Sequence, residues 1–389
     1  MDFTLSEEDQ AFADSVRRFA EDKLSGGALE RAHSKDYPWD ASKMLADQGL
    51  LGITFPEKDG GQGGTLMQAI LAIQEIALAC PKSGDIIQAG NFGPIRTFAE
   101  YASPEQKARF LPDLLAGRSV IALAMTEPDA GSAVTELKTT LTSDGKSYRL
   151  NGSKIFSTNS KEADLFLVYA RFGPGTQGIG SVLIERGTPG FQVGEPSMFM
   201  NGEEWCQLYF DNALVPPENV LLGPGGFKKQ ISGFNVERLG NSSRSLALGR
   251  YCFNQAREHA QTRRQFGRLL CEFQGIQWKF ADMSLQLEAA QLLLYKAAKE
   301  GEHGLPSAHS TATAKLACNQ AGWLAANESL QIMGGLGFSQ ELLVEYCLRR
   351  IRGWMVAGGS IEMLKNRIAE GVFERRFPQR LHAVGSGAN

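Results

Sequence analysis

The feature that most restricts this chain is a change of pattern near residues 121 and 222. Between them, short runs of β-branched and aromatic residues are cut by Gly and Pro. On either side, apolar residues recur every three or four positions. A strand-rich block enclosed by two helical blocks fits few folds. Strand candidates are 165–170, 181–185 and 207–210, and Val215-Pro216-Pro217 closes the block. Asn151-Gly152, between Tyr148-Arg149-Leu150 and Lys154-Ile155-Phe156, predicts a type I′ hairpin. Short strands with such turns predict a compact barrel or sandwich.

The first block has helical stripes at Phe12, Val16 and Phe19, and at Leu66, Ile70, Ile73 and Ala77. Ser103-Pro104-Glu105-Gln106 reads as a helix start, with a Ser cap and Pro in the first turn. In the last block, Ile276, Phe280, Met283, Leu287, Ala290 and Leu294 form one buried helix face. Ala314, Ala317, Ala321 and Leu324 mark another, small enough for close helix approach. The expected domains are 1–122, 123–222 and 223–389.

Charge and cysteine usage exclude several function classes. A net charge of -3 over 389 residues gives no basic excess for a nucleic-acid partner. The opening residues lack the basic and apolar regions of a secretory signal, and no apolar run is long enough for membrane insertion. The six cysteines form no C-x-x-C pair, and the five histidines show no metal-ligand spacing. Free thiols, no metal centre and a cytoplasmic location are expected.

Four segments carry candidate chemistry. Met125-Thr126-Glu127-Pro128-Asp129-Ala130-Gly131-Ser132 follows an apolar run, so backbone groups and hydroxyls at a strand end can meet the polar edge of a heterocycle. Asn151 to Asn159 contains Phe156, Ser157 and Thr158, an aromatic followed by hydroxyls, which can stack on a ring and bond to it. Arg263-Arg264-Gln265-Phe266-Gly267, with Phe273-Gln274 beyond, offers phosphate-binding guanidinium groups. Gln331 to Phe338 holds Gly334, Gly335 and Gly337, where a backbone can approach a ligand or a second subunit.

Together these segments resemble the acyl-CoA dehydrogenase family. TEPxAGS matches 126–132, NGxKxxxTN matches 151–159, RxxFG matches 263–267 and QxxGGxGF matches 331–338. Gly358-Gly359-Ser360-Ile361-Glu362 resembles the segment that contacts flavin near the family's C-terminus. The resemblance is collinear over essentially the whole chain. It implies an α+β fold with an N-terminal helical domain, a middle β-barrel and a C-terminal four-helix bundle. It also implies FAD as cofactor, an acyl-CoA substrate, electron-transfer flavoprotein as acceptor, and a homo-oligomer, usually a tetramer.

Residue by residue, the resemblance puts Met125 and Thr126 at the flavin's pyrimidine side and Phe156 and Thr158 beside the ring. Arg263, Phe266, Phe273 and Gln274 belong with the dinucleotide, and Gln331 and Gly335 reach it from a neighbouring subunit. Ser360 and Glu362 also fall on the cofactor side. Ser132 lies where relatives touch CoA, and Asn235, Arg238 and Gly359 lie on the substrate side. Ala133 departs from the family's Asp. Arg350 replaces a common Asp, a change expected to bear on the subunit interface.

The base is the chief departure. Removing a weakly acidic α-proton needs a positioned carboxylate whose pKa is raised towards neutrality. Most of the family carries it where this chain has Gly358, whose N–H remains able to donate to the thioester carbonyl. A minority, including isovaleryl-CoA and long-chain acyl-CoA dehydrogenases, carries it just before an Arg on the helix opening the last domain. Glu237-Arg238 matches that pattern. Dehydrogenation to a 2,3-enoyl-CoA, with Glu237 as base and hydride transfer to flavin, is the leading expectation. A non-oxidative lyase is the alternative, since segments at 37–40, 131–133 and 273–278 resemble 3-sulfinopropionyl-CoA desulfinase. A silent acyl-CoA or FAD binder is a third. Asn91, Phe92 and Arg96 lie where relatives shape the acyl pocket, and an Arg96 facing that pocket would predict an anionic acyl group.

Overall fold

The computed structural model describes residues 4–301 and 305–377, so the outer ends of the first and last expected domains lie outside the described residues. Seven helices come first: α1 (Glu7–Lys23), α2 (Ala28–His33), α3 (Trp39–Asp47), α4 (Leu66–Ala79), α5 (Pro81–Ala89), α6 (Pro94–Tyr101) and α7 (Pro104–Leu115). The start of α7 is as expected. Ser103 Oγ accepts from the Gln106 N–H, and the Gln106 side chain accepts from the Ser103 N–H.

The middle segment holds β1 (Ile121–Ala124), β2 (Thr140–Ser143), β3 (Tyr148–Thr158), β4 (Leu165–Arg171), β5 (Ile179–Glu185), β6 (Phe191–Met198), β7 (Glu204–Val215) and β8 (Val220–Leu222). They form one sheet in the order β6-β7-β3-β2-β4-β5-β8, with β1 parallel to β4. The hydrogen-bonded path runs from β6 to β8, and Phe166, Val168 and Val182 of β4 and β5 meet Leu208 and Phe210 of β7 in one core, as the expected barrel places them. Side chains alternate across it. Leu165, Leu167, Tyr169 and Leu183 pack with Phe98, Leu111 and Leu114 of α6 and α7. Phe166, Val168, Val182 and Leu208 build the opposite core.

The expected hairpin at Asn151-Gly152 is absent, because β3 runs straight through it. Gly152 instead sits at a register shift against β7, with φ 141°. A Cβ there would lie 2.8 Å from Thr139 Cα, so the glycine admits a bulge and a close backbone approach. The turn falls earlier, where Asp144 Oδ1 accepts from the Lys146 and Ser147 N–H groups and Gly145 has φ 90°.

The last segment contains α8 (Phe227–Thr262), a short hairpin of β9 (Arg264–Gln265) and β10 (Arg268–Leu269), α9 (Gln274–Glu300), α10 (Ala308–Met333), α11 (Gly335–Phe338), α12 (Val344–Trp354) and α13 (Ile361–Val372). Helices α8, α9, α10 and α12 pack together, with α4 against α8. A Cβ on Gly249 of α8 would lie 2.7 Å from Gly322 Cα of α10, so small residues set that approach. One apolar core runs through both helical segments and holds Ile70 and Ile73 of α4, Leu246 of α8 and Leu287 of α9. The first turns of α8 are thereby fixed against α5 and α6.

Candidate active site

Glu237 lies in the third turn of α8, facing the loop between α5 and α6. Its carboxylate accepts two hydrogen bonds from Gln88 Nε2, at 2.7 and 2.8 Å, and one from the Gly93 N–H. Burial raises its pKa to about 7; the charges of Arg244 and Lys315 and the bonds from Gln88 and Gly93 hold it back from rising further. The residue as a whole is only partly buried. Gly93 has φ 72°, and a Cβ there would come within 3.4 Å of Glu237 Oε2.

Lys315 of α10 acts on this carboxylate through its charge and is bonded to the 357–359 loop. Its Nζ donates to the carbonyls of Ala357 and Gly359, each at 2.7 Å. Burial lowers its pKa to about 7, helped by Arg238 and Arg244 and opposed by Glu237. Gly358 and Gly359, at φ 69° and 94°, follow a path that suits glycine. A Cβ on Gly358 would meet Lys315 Nζ at 3.7 Å, so a side chain at this position would begin beside the ammonium. Arg238 donates to Asn235 Oδ1 at 3.1 Å. Its Nε is buried without a partner, and burial with the Arg367 charge lowers its pKa to about 10.

The cofactor-side residues form two groups. Lys154, fully buried on β3, donates to the Met125 carbonyl and pairs with Glu127 at 2.8 Å. Ile155 N–H donates to the Thr126 carbonyl. These bonds bring the 125–126 turn beside Phe156 and Thr158. Phe156 is 49 % exposed at φ 57°, an unusual conformation for an aromatic residue, and packs on Trp205 and Phe199 with centroids 4.7 and 5.7 Å apart. An uncovered ring, exposed Thr158 and a fixed backbone edge fit the flat face and polar rim of a flavin.

In the second group, Phe266 and Gly267 both have positive φ, as a two-residue turn between β9 and β10 requires. Phe266 is 94 % exposed, and Arg263 and Gln274 are exposed nearby in the chain. Phe273 precedes α9 and carries the Arg268 guanidinium 5.0 Å from its ring. Gln331 and Gly335 are exposed, as are Leu336 and Phe338. Ser132 lies exposed in the loop after β1. Ser360 caps α13 by accepting from the Met363 N–H, with Glu362 exposed in that helix's first turn.

One expectation changes. Arg350 does not lie at a surface: it is 2 % exposed and pairs with Asp85 of α5 and, at 2.9 Å, with Glu203 before β7. Asp85 also pairs with Arg244 at 2.7 Å, so this network ties the three segments together. Arg96 donates to Thr54 Oγ1 at 2.7 Å, has Glu100 and Tyr101 rather than Glu237 as titratable neighbours, and keeps its Nε buried without a partner. Asn91 spans backbone groups of Ile53, Leu50 and Ile87. Gln88, Lys315, Asp85 and Arg244 escaped sequence reasoning, and Glu127 and Lys154 were read only as members of their motifs, without their pairing. Surface hollows lined by Arg17, Glu75 and Arg250, and by Arg109, Asp113 and Glu185, contain none of the site residues. Among the described residues, no group of three His, Cys, Asp or Glu is placed to hold a metal, and no helix is long and apolar enough to cross a membrane.

A three-segment helical–sheet–helical protein with a buried, near-neutral carboxylate and uncovered aromatic and cationic groups defines a class able to bind a planar cofactor beside a carbon acid. Comparison with known proteins places the chain within it. The acyl-CoA dehydrogenase N-terminal, middle and C-terminal domains match residues 6–118, 122–213 and 224–373, and the chain belongs to this family. It is similar to a 3-sulfinopropanoyl-CoA desulfinase of Paraburkholderia xenovorans, 32% identical across 98% of this chain and 100% of that protein. A short-chain-specific acyl-CoA dehydrogenase of Clostridium acetobutylicum is also 32% identical, across 96% and 100%. The structure of PigA with FAD superposes with a TM-score of 0.91 at 27% identity, covering 96% and 99%. The family binds FAD and acts on acyl-CoA thioesters.

Proposed function

We propose that the protein is an FAD-dependent acyl-CoA dehydrogenase with Glu237 as its base. The observation that carries this reading is the Glu237 carboxylate, driven by burial to a pKa of about 7 and aimed by Gln88 and Gly93. A base with that pKa is half ionised at neutral pH and matched to proton abstraction from a thioester α-carbon. The Gly358 N–H donates to the thioester carbonyl and stabilises the developing enolate charge. Lys315 holds the loop that presents this donor. Met125, Thr126, Phe156 and Thr158 hold the ring, and Arg263, Phe266, Phe273, Gln274, Ser360 and Glu362 hold the rest of the dinucleotide. Bound FAD supplies the acceptor for the β-hydride. Ser132, Asn235, Arg238 and Gly359 contact the substrate. Exposed Phe266, Trp278, Leu285, Leu336 and Phe338 need cover, which a homotetramer with Gln331 and Gly335 reaching a neighbour's FAD provides. Electron-transfer flavoprotein is the proposed acceptor.

A second reading has support of its own. The desulfinase similarity spans the full chain, and release of a β-substituent from an acyl thioester with no net change in flavin oxidation state would be a non-oxidative lyase reaction. Anaerobic mixing with acyl-CoA thioesters separates the two. Dehydrogenation bleaches the flavin and yields a product two mass units lighter. Glu237→Gln retains FAD and loses bleaching by roughly 10³-fold or more, as expected for loss of a general base. Undiminished bleaching in that variant refutes the assignment of the base, and product release without bleaching refutes dehydrogenation.

A further inference from the structure

Three polar side chains lie in line along α8. At about 100° per residue, Asn241 lies about 40° to one side of Glu237 and Arg244 about 20° to the other, one and two turns farther along. Asn241 is 3 % exposed and its Oδ1 has no hydrogen-bond partner. Arg244 is 7 % exposed and its Nε is likewise unpartnered. One edge of its guanidinium is taken by Asp85, at 2.7 Å, and its face lies 4.4 Å from the Trp354 ring centroid. Asp85 and Gln88, one turn apart on α5, face the same stripe.

An apolar acyl chain entering beside Glu237 would leave both orphaned groups dry and unbonded, a costly arrangement. A chain ending in a carboxylate would give the Arg244 Nε edge an acceptor; protonated at one oxygen or bridged by water, it would also satisfy Asn241. The local charge favours an anion. Arg350 and Glu203 pair with each other, while among the described residues Arg244, Lys315 and Arg238 have Asp85 and Glu237 as their carboxylate neighbours. Asp85 is shared with Arg350, which weakens its hold on Arg244. Arg244 stands two turns beyond Glu237 on α8 and helical side chains lean towards the N-terminus, so a terminal anion held by it lies only a few bonds from the α-carbon.

Resting on the proposed base, we infer that Asn241 and Arg244 select a short acyl thioester of about four or five carbons ending in a carboxylate. The two thioesters to compare are glutaryl-CoA and valeryl-CoA, equal in chain length and different at the tip. Binding is read from the flavin absorbance of the Glu237→Gln holoenzyme, which does not turn over. Glutaryl-CoA should bind at least about tenfold more tightly. Asn241→Leu and Arg244→Met should each reduce that preference by about tenfold or reverse it. Asn241→Leu leaves the Arg244–Asp85 pair intact, so it still tests the inference where Arg244→Met fails to retain FAD. Equal or tighter valeryl-CoA binding, or a preference unmoved in Asn241→Leu, overturns the inference. Flavin reduction by the parent enzyme is scored separately. Tight glutaryl-CoA binding without reduction leaves the pocket standing and removes the dehydrogenase reading. Reduction by both thioesters without preference does the reverse.

Discussion

Replacing Gln88 with Leu tests how the proposed base is tuned. Gln88 gives the Glu237 carboxylate two bonds, at 2.7 and 2.8 Å, inside a site where burial opposes ionisation. A hydrogen bond to a charged acceptor contributes about 1.5–3 kcal/mol, and one pKa unit corresponds to about 1.4 kcal/mol. Losing the Gln88 amide should therefore raise the Glu237 pKa by about one to two units. The parent begins near 7. The base works ionised, so activity rises with pH through its pKa. At pH 7 the ionised fraction falls from about one half to between roughly one tenth and one hundredth, a loss of about 5- to 50-fold in the rate of flavin reduction. Near pH 9.5 the two enzymes should converge. Stopped-flow reduction at saturating substrate, from about pH 6 to 9.5, gives both curves. A loss of equal size at every pH would show that Gln88 shapes the site without tuning the carboxylate. An unmoved inflection would show that Glu237 is not the titrating group.

Two further outcomes concern stability. Glu237 titrates higher in the folded protein than in an unfolded chain, so its destabilising effect grows as pH rises from about 4.5 to about 7 and is complete above. Glu237→Gln should then stabilise the protein at pH 8 by about 1–3 kcal/mol and leave it little changed at pH 4 to 5, read from denaturant midpoints; equal midpoints at pH 8 would contradict the raised pKa. Lys154→Met leaves the Glu127 carboxylate buried beside the backbone N–H groups of Lys138 and Thr139 and should cost about 3–5 kcal/mol. Adding Glu127→Gln should recover most of that loss, and failure to recover would mean that Lys154 acts through packing rather than charge.

The base position fits the local backbone. At 358 the chain adopts φ 69°, where a side chain is strained, and its Cβ would start beside Lys315 Nζ. A carboxylate there would be drawn into an ion pair, and its pKa would fall away from neutrality. At 237 the carboxyl stands on a regular helix, receives neutral donors from Gln88 and Gly93, and feels Lys315 and Arg244 only through their charge. Burial therefore dominates, and the pKa rises. The same two features, an ammonium that supports the 357–359 loop and a glycine within it, keep the Gly358 N–H free to meet a thioester oxygen. In this reading Lys315 serves the oxyanion donor rather than the base.

How much of this was legible depended on sequence distance. Helical stripes and the Ser103 cap are set by neighbours three or four residues apart, and they appear as read. Asn151-Gly152 misled because the same pair suits a turn or a bulge. The choice was made by Thr139 packing on Gly152 and by Asp144-Gly145, which closes the turn earlier. Glu237 could be picked out because it stands in a recognisable segment, but its partners could not. Gln88 lies 149 positions away, Asp85 lies 159 from Arg244 and 265 from Arg350. No local pattern encodes such pairings; they exist only once α5 is laid against α8 and α12. Arg96 is a parallel case. It stands near the expected acyl pocket, where one edge of its guanidinium donates to Thr54 and its Nε is buried without a partner. Arg244 sits on α8 among serines, where it reads as an ordinary polar residue until Asp85 and Trp354 fix its direction.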